Sequence, residues 1–156
     1  MGRHLFGGNM NDKNNATVLF GADSAQPGLS QKKRRILLVD DDQLTCNVVG
    51  RIVSQMYDVE IYTSPQDACD AFVMGKFDVA LIDLGMTQMR GDVLEAHLRR
   101  EDPTLVTVLM TGWLLDEDDE RGSGFDFCIY KPVEMAALLQ LVHKAIVLHD
   151  QRVTPN

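Results

Sequence analysis

Five short runs of buried-type residues, each separated from the next by a longer helical stretch, constrain this chain more than any other feature. Arg35 to Asp40 is a nearly unbroken apolar run, and Val59–Thr63, Phe77–Asp83, Leu105–Met110 and Phe125–Tyr130 follow at similar intervals. Runs of four to seven residues without polar alternation suit strands covered on both faces. Between them, Leu44, Val48, Val49, Ile52, Val53 and Met56 recur at helical spacing. Ser64-Pro65 opens a second helix with Pro at its first position, and Gly75 closes it. Gly91 to Arg100 reads as a third, ended before Pro103. Trp113 to Arg121 reads as a short, poor fourth helix before Gly122-Ser123-Gly124. Pro132 starts a fifth, with Leu138, Leu141, Val142, Ala145, Ile146 and Leu148 on one stripe. Strands alternating with helices in this way demand parallel pairing and right-handed crossovers.

The ends of the chain have a different character. Residues 1–33 read as a disordered N-terminal extension, rich in Gly, Asn, Ser and Gln without sustained periodicity. Residues 34–149 form the folded domain and 150–156 a C-terminal tail. The basic tetrad Lys32-Lys33-Arg34-Arg35 is expected to be the solvated start of the first strand. The formal net charge is -8, which argues against direct nucleic-acid binding, since little would neutralise a run of phosphates. The apolar runs are too short to cross a bilayer, so no membrane insertion is expected. Cys46, Cys69 and Cys128 are widely spaced and odd in number, and read as reduced core thiols of a cytoplasmic protein.

In open parallel sheets, ligands sit beyond the carboxyl ends of the strands. The first strand here ends in Asp40-Asp41-Asp42, the third in Asp83, the fourth in Thr111 and the fifth in Lys131-Pro132. An acid after a strand is often a helix N-cap, and Asp42 suits that role. Acids on two separate strand ends, with a Lys on a third, suggest a site instead. Clustered carboxylates raise one another's pKa unless a cation lies between them, and a hard divalent ion such as Mg²⁺ fits an oxygen-only donor set. Thr111 can donate to a phosphoryl oxygen and Lys131 can hold an anion. The set suits phosphoryl transfer, with Asp83 the best candidate nucleophile.

Ile36–Asp42, Asp78–Met86, Gly91, Val108–Gly112 and Tyr130-Lys131-Pro132 together resemble the receiver domain of two-component response regulators, in its CheY-like single-domain form. The resemblance covers about residues 34–149. It implies a flavodoxin-like (βα)5 three-layer α/β sandwich with a parallel sheet in strand order 2-1-3-4-5. It implies that Asp83 accepts a phosphoryl group from a histidine kinase or histidine phosphotransfer protein. Asp40, Asp41, Asp83 and the backbone carbonyl of Gly85 would hold Mg²⁺, while Thr111 and Lys131 would contact the phosphoryl group. Output would pass to a downstream protein target or along a phosphorelay. No second domain is expected after the last helix, and the only catalysis expected is of the chain's own phosphorylation and dephosphorylation.

Two positions depart from the family pattern, and a third is one that tunes the family's dephosphorylation. Thr87 stands where Pro is usual, which predicts a less rigid loop. Cys128 stands where an aromatic rotamer switch is usual, with Phe127 pointing to the opposite side of the strand; signalling is then expected to rely on the loop and helix after the fourth strand. Trp113 stands two residues past Thr111, where the family tunes dephosphorylation, and its bulk predicts slow loss of phosphate. The acidic run Asp116–Glu120 reads as a solvated face, and Met86 and Met89 as loop packing or partner contacts. Two other readings compete: a scaffold that works without phosphorylation, and a small phosphatase using Asp40 as nucleophile.

Overall fold

The computed structural model describes residues 32–154. The expected extension, up to residue 31, and the last two residues lie outside the described part. The elements are β1 (Arg35–Val39), α1 (Gln43–Val53), β2 (Asp58–Tyr62), α2 (Pro65–Ala71), β3 (Val79–Asp83), α3 (Gly91–Glu101), β4 (Val106–Thr111), β5 (Phe127–Tyr130) and α4 (Met135–Val153). All strand pairs are parallel, in the order β2-β1-β3-β4-β5. This is the flavodoxin-like α/β sandwich, with the strand order that the family resemblance implies.

The period-two geometry of each strand divides its side chains between two layers. Ile36 and Leu38 of β1 face one way, with Val79, Leu81, Val106, Val108 and Met110, and meet Val49 and Val53 of α1 and Leu138, Val142 and Ala145 of α4. Leu37 and Val39 face the other way, with Ala80 and Ile82, and meet Ala68 of α2 and Leu94 and Leu98 of α3. Both faces of the three central strands are therefore dry, which is why their sequences run apolar without alternation.

The sequence expectation fails between β4 and β5. No helix forms over Trp113 to Arg121, and the segment is a series of turns. Asp116 to Glu120 places five like charges in succession, and Leu114 is 91% exposed. Little apolar surface is available to drive a helix onto the sheet. The Asp119 carboxylate instead accepts the Arg121 backbone N–H at 3.0 Å, a local bond that competes with helical hydrogen bonding. Among the described residues there are thus four helices where five were expected. Two boundaries also move. α2 ends at Ala71, four residues before Gly75, whose φ of 74° turns the chain afterwards.

The last helix extends to Val153, past the expected start of a tail. Its final turn is anchored: Arg152 donates to the Leu105 carbonyl at 2.8 Å and to Asp126 at 2.5 Å. Asp126 also accepts from Arg99 at 2.8 Å and from the Thr107 N–H at 2.9 Å. The basic tetrad is tied to the fold as well. Lys33 pairs with Asp58, Arg34 with Asp150, and Arg35 with Glu60. These ties lie at the amino ends of the strands, away from the strand ends that carry the acids.

Candidate functional site

The backbone sets the site before any side chain does. Parallel β1 and β3 are neighbours, so Asp40 and Asp83 emerge together at their carboxyl ends. In β4, Met110 is the register partner of Asp83, and Thr111 follows it. In β5, Tyr130 pairs with Thr111, and Lys131 is next in the chain. The Lys131 backbone N–H donates to the Thr111 carbonyl at 2.8 Å, which fixes where the lysine side chain begins.

Lys131 reaches back across two strands. Its Nζ donates to Asp40 Oδ2 at 2.7 Å and to Asp83 Oδ1 at 2.9 Å. Carboxylate oxygens of Asp40, Asp41 and Asp83 all lie within 4.8 Å of one another. The ammonium of Lys131 bonds two of these three acids, so the cluster holds more acidic than basic groups. Burial pushes the Asp40 carboxyl above its ordinary pKa despite the Lys131 bond. Burial would lower the Lys131 pKa, but its hydrogen bonds to Asp40 and Asp83 outweigh that and raise it.

Each acid has a distinct setting. Asp40 is completely buried, and the Cys46 thiol donates to its carbonyl at 3.2 Å. Asp41 is exposed; its Oδ2 accepts from the Thr87 N–H at 2.9 Å and the Thr87 hydroxyl at 3.2 Å. Asp83 accepts the Gly85 N–H on Oδ2 at 3.1 Å. Asp42 is the N-cap of α1, accepting from the Leu44 N–H at 3.1 Å and the Thr45 N–H at 3.3 Å. It is not one of the three clustered acids. Thr111 is buried, and its hydroxyl oxygen accepts the Trp113 N–H at 3.0 Å.

Gly91 lets α3 start close against the end of β3. A β-carbon there would lie 2.1 Å from the Asp83 carbonyl oxygen and 2.9 Å from its carbonyl carbon. Only glycine tolerates that approach. On the other side, α1 and the segment after Lys131 frame an open groove of about 270 Å³ beside the acids, lined by Leu44, Val48, Pro132 and Val133 among others. Leu44 and Val48 belong to the expected apolar stripe of α1, yet they are 74% and 56% exposed.

The family model described as the response regulator receiver domain matches residues 36–143. The chain belongs to this family. A similar sequence lies in the transcriptional regulatory protein GlrR of Escherichia coli, 29% identical over 121 residues, which cover 76% of this chain and 27% of that protein. Another match is the sensor histidine kinase RcsC of Salmonella typhi, 32% identical over 108 residues, 67% of this chain and 11% of that protein. The chain thus spans less than a third of either relative. A CheY-like receiver from Methanospirillum hungatei superposes with a TM-score of 0.68 at 25% identity, covering 76% of this chain and 98% of that one. Among the described residues, no helix of the receiver is long and apolar enough to cross a membrane.

The positions at which this receiver departs from its family have structural consequences. Thr87 does not leave its loop free, since its two hydrogen bonds tie the loop to Asp41. Proline at this position could donate neither. Cys128 is exposed rather than in the core, on the side of β5 facing Leu109, Leu115 and Asp119, while Phe127 packs against the opposite face. Met86 is buried among Leu37, Ile82 and Leu94, which assigns it to packing. Trp113 shows a relation that no local pattern revealed. A β-carbon on Gly85 would lie 3.4 Å from Trp113 Cζ2 and 3.8 Å from Asp83 Oδ2. The indole and the carboxylate flank the same glycine.

Proposed function

We propose that this receiver is a phosphorylation-dependent switch in which Asp83 accepts a phosphoryl group. The observation that carries the reading is the convergence of the Asp40, Asp41 and Asp83 carboxylates, two of which, Asp40 and Asp83, are bonded to the ammonium of Lys131. A three-carboxylate, oxygen-only donor set with surplus negative charge fits Mg²⁺, held by Asp40, Asp41, Asp83 and the Gly85 carbonyl. When bound, the ion neutralises charge on the transferring phosphoryl group. Lys131 Nζ, already on Asp83 Oδ1, stabilises the negative charge of the bound phosphoryl oxygens. The Thr111 hydroxyl turns from the Trp113 N–H, where it serves as acceptor, to donate to a phosphoryl oxygen. That exchange frees the Trp113 amide and passes the event to the segment between β4 and β5, replacing a switch that Cys128 lacks the ring to perform.

The phosphodonor in this reading is a histidine kinase or histidine phosphotransfer protein, approaching over the exposed Leu44, Val48 and Pro132 beside the acids. A downstream protein, or the next carrier of a relay, reads the phosphorylated form. The protein acts in the cytoplasm, and beyond its own phosphorylation and dephosphorylation it catalyses nothing. The complete burial of Asp40 beneath Lys131 speaks against the phosphatase alternative, which needs Asp40 accessible as nucleophile.

The test is intact-protein mass after incubation with a small acyl phosphate and Mg²⁺, with Asp83→Asn as control. The expected result is one added phosphoryl group that is absent in the variant and absent when EDTA removes the ion. A gain that survives Asp83→Asn would overturn the assignment in favour of Asp40. No gain from either a small donor or a histidine kinase would favour the scaffold.

A further inference from the structure

The segment that fails to form a helix is not featureless. Asp119 binds the side chain of Arg121 at two points, Oδ1 accepting from Nε at 2.9 Å and Oδ2 from Nη2 at 2.6 Å, while Oδ1 also takes the Arg121 backbone N–H. This planar fork fixes the guanidinium in orientation as well as position. The fixed guanidinium lies over the Trp113 ring, with Cζ 5.3 Å from the centroid, within cation–π range. The outer edge of the same ring meets Gly85, next to Asp83 Oδ2. A series of contacts therefore runs from Asp119 through Arg121 and Trp113 to Gly85, whose N–H donates to Asp83 Oδ2.

We infer that Arg121 is a positioning residue that holds Trp113 against Gly85, beside the acceptor, and so lengthens the life of the phosphorylated state. The inference rests on the reading of Asp83 as phosphoacceptor. In the decay step, the oxygen of a water molecule attacks phosphorus and the bond from phosphorus to the Asp83 oxygen breaks. Its electron pair returns to the Asp83 carboxylate, and both water protons leave on dihydrogen phosphate. The water must approach in line with the breaking bond, from the open side of the site. A ring clasped against Gly85 narrows that approach, and a ring left free to swing into solvent does not. Half of Trp113 is exposed, so the sheet alone does not pin it. Arg121, with Asp119 behind it, supplies the restraint.

Trp113 is the only tryptophan in the chain, so its emission reports its own position without labelling. The experiment measures two quantities on the full chain: acrylamide quenching of Trp113 in the unphosphorylated protein, and the decay of acyl-phosphate-loaded protein in excess Mg²⁺. In Arg121→Ala, quenching should increase and decay should accelerate about two- to fivefold, the size of a surface cation–π restraint. Arg121→Lys, which keeps the charge but loses the fork, should fall between. Asp119→Asn keeps Arg121 and weakens its hold; it should move both readouts in the same direction, and it provides the test should the alanine variant misfold. In a Trp113→Ala background, Arg121→Ala should change the decay no further. Wild-type decay and quenching in both Arg121→Ala and Asp119→Asn would overturn the inference while leaving the acceptor assignment intact. Equal acceleration with and without Trp113 would overturn it too, by showing that Arg121 acts elsewhere. A wild-type protein that takes no phosphoryl group from any donor would remove both readings together.

Discussion

Replacing Lys131 by Met tests the electrostatics of the acidic cluster independently of any phosphodonor. Lys131 donates at 2.7 and 2.9 Å to two acids, Asp40 with its side chain 1% exposed and Asp83 with 10%. Removing one partner of a buried pair costs about 3–5 kcal/mol, because the remaining charge is left unpaired. The lysine side chain is itself 24% exposed, and water screens part of the interaction, so about 2–4 kcal/mol is expected in metal-free solution at neutral pH. For a domain of this size the melting temperature should fall by on the order of 10 °C. The sign of the pH dependence follows from Asp40. Its folded pKa lies above its unfolded value, so its ionisation opposes folding as pH rises through that window. Lys131 limits the opposition, and the variant loses that protection. The stability gap should therefore open between the unfolded carboxyl pKa and neutral pH and close on acidification. The raised pKa of Lys131 adds stability below its unfolded value, which the wild type loses as pH rises through the folded pKa. Urea unfolding at several pH values, with EDTA and then with millimolar Mg²⁺, measures each part. Mg²⁺ should stabilise the variant more than the wild type, because three acids without an ammonium bind a divalent cation more strongly. A gap that is absent at neutral pH, or that widens on acidification, would refute the reasoning.

Gly91→Ala should destabilise the domain by about 1–3 kcal/mol and disturb Asp83, because the added methyl meets the Asp83 carbonyl oxygen at 2.1 Å; urea unfolding and phosphoryl uptake should fall together. Asp126→Asn should cost about 2 kcal/mol at neutral pH, within the range for hydrogen bonds to charged groups. Burial would raise the Asp126 pKa, but hydrogen bonds from Arg152, the Thr107 N–H and Arg99 lower it below its ordinary value. Its contribution is thus present above the unfolded pKa and lost as pH falls through the folded one, so variant and wild type should converge in acid-unfolding curves. Trp113→Glu, which replaces the shielding ring by a short carboxylate, should shorten the phosphorylated lifetime several-fold, measured as phosphate release; an unchanged lifetime would count against shielding.

The parts of the fold legible in the sequence are those set by local patterns. Ile36–Val39 and Val79–Ile82 could only be strands with both faces covered, and the acids and the lysine that follow the strands are placed by the same periodicity. The structure brings Asp40, Asp41, Asp83 and Lys131 together because adjacent parallel strands end together. Other features depend on contacts distant in sequence or on competition within a segment. The stretch from Trp113 to Arg121 has some helical spacing, but the Asp119 bond to Arg121 and the repulsion of neighbouring acids decide its conformation. Thr87 suggested looseness from what it lacks relative to proline; its partner Asp41 is 46 positions away. Arg152 looked like part of a tail because nothing nearby explains it, and the groups it binds, Leu105 and Asp126, belong to other elements.

The outermost strands bear on how this protein behaves when crowded. β5 is four residues long, and Pro132, two residues beyond it, has no amide hydrogen to offer an incoming chain. β2 presents Asp58 and Glu60, each engaged by a neighbouring cation. A foreign strand adding to either margin would find too few free amides on one side and would have to break ion pairs on the other. The sheet is therefore a poor template for edge-to-edge growth, and the protein should stay monodisperse at concentrations where long, flat and uncharged margins would seed fibres.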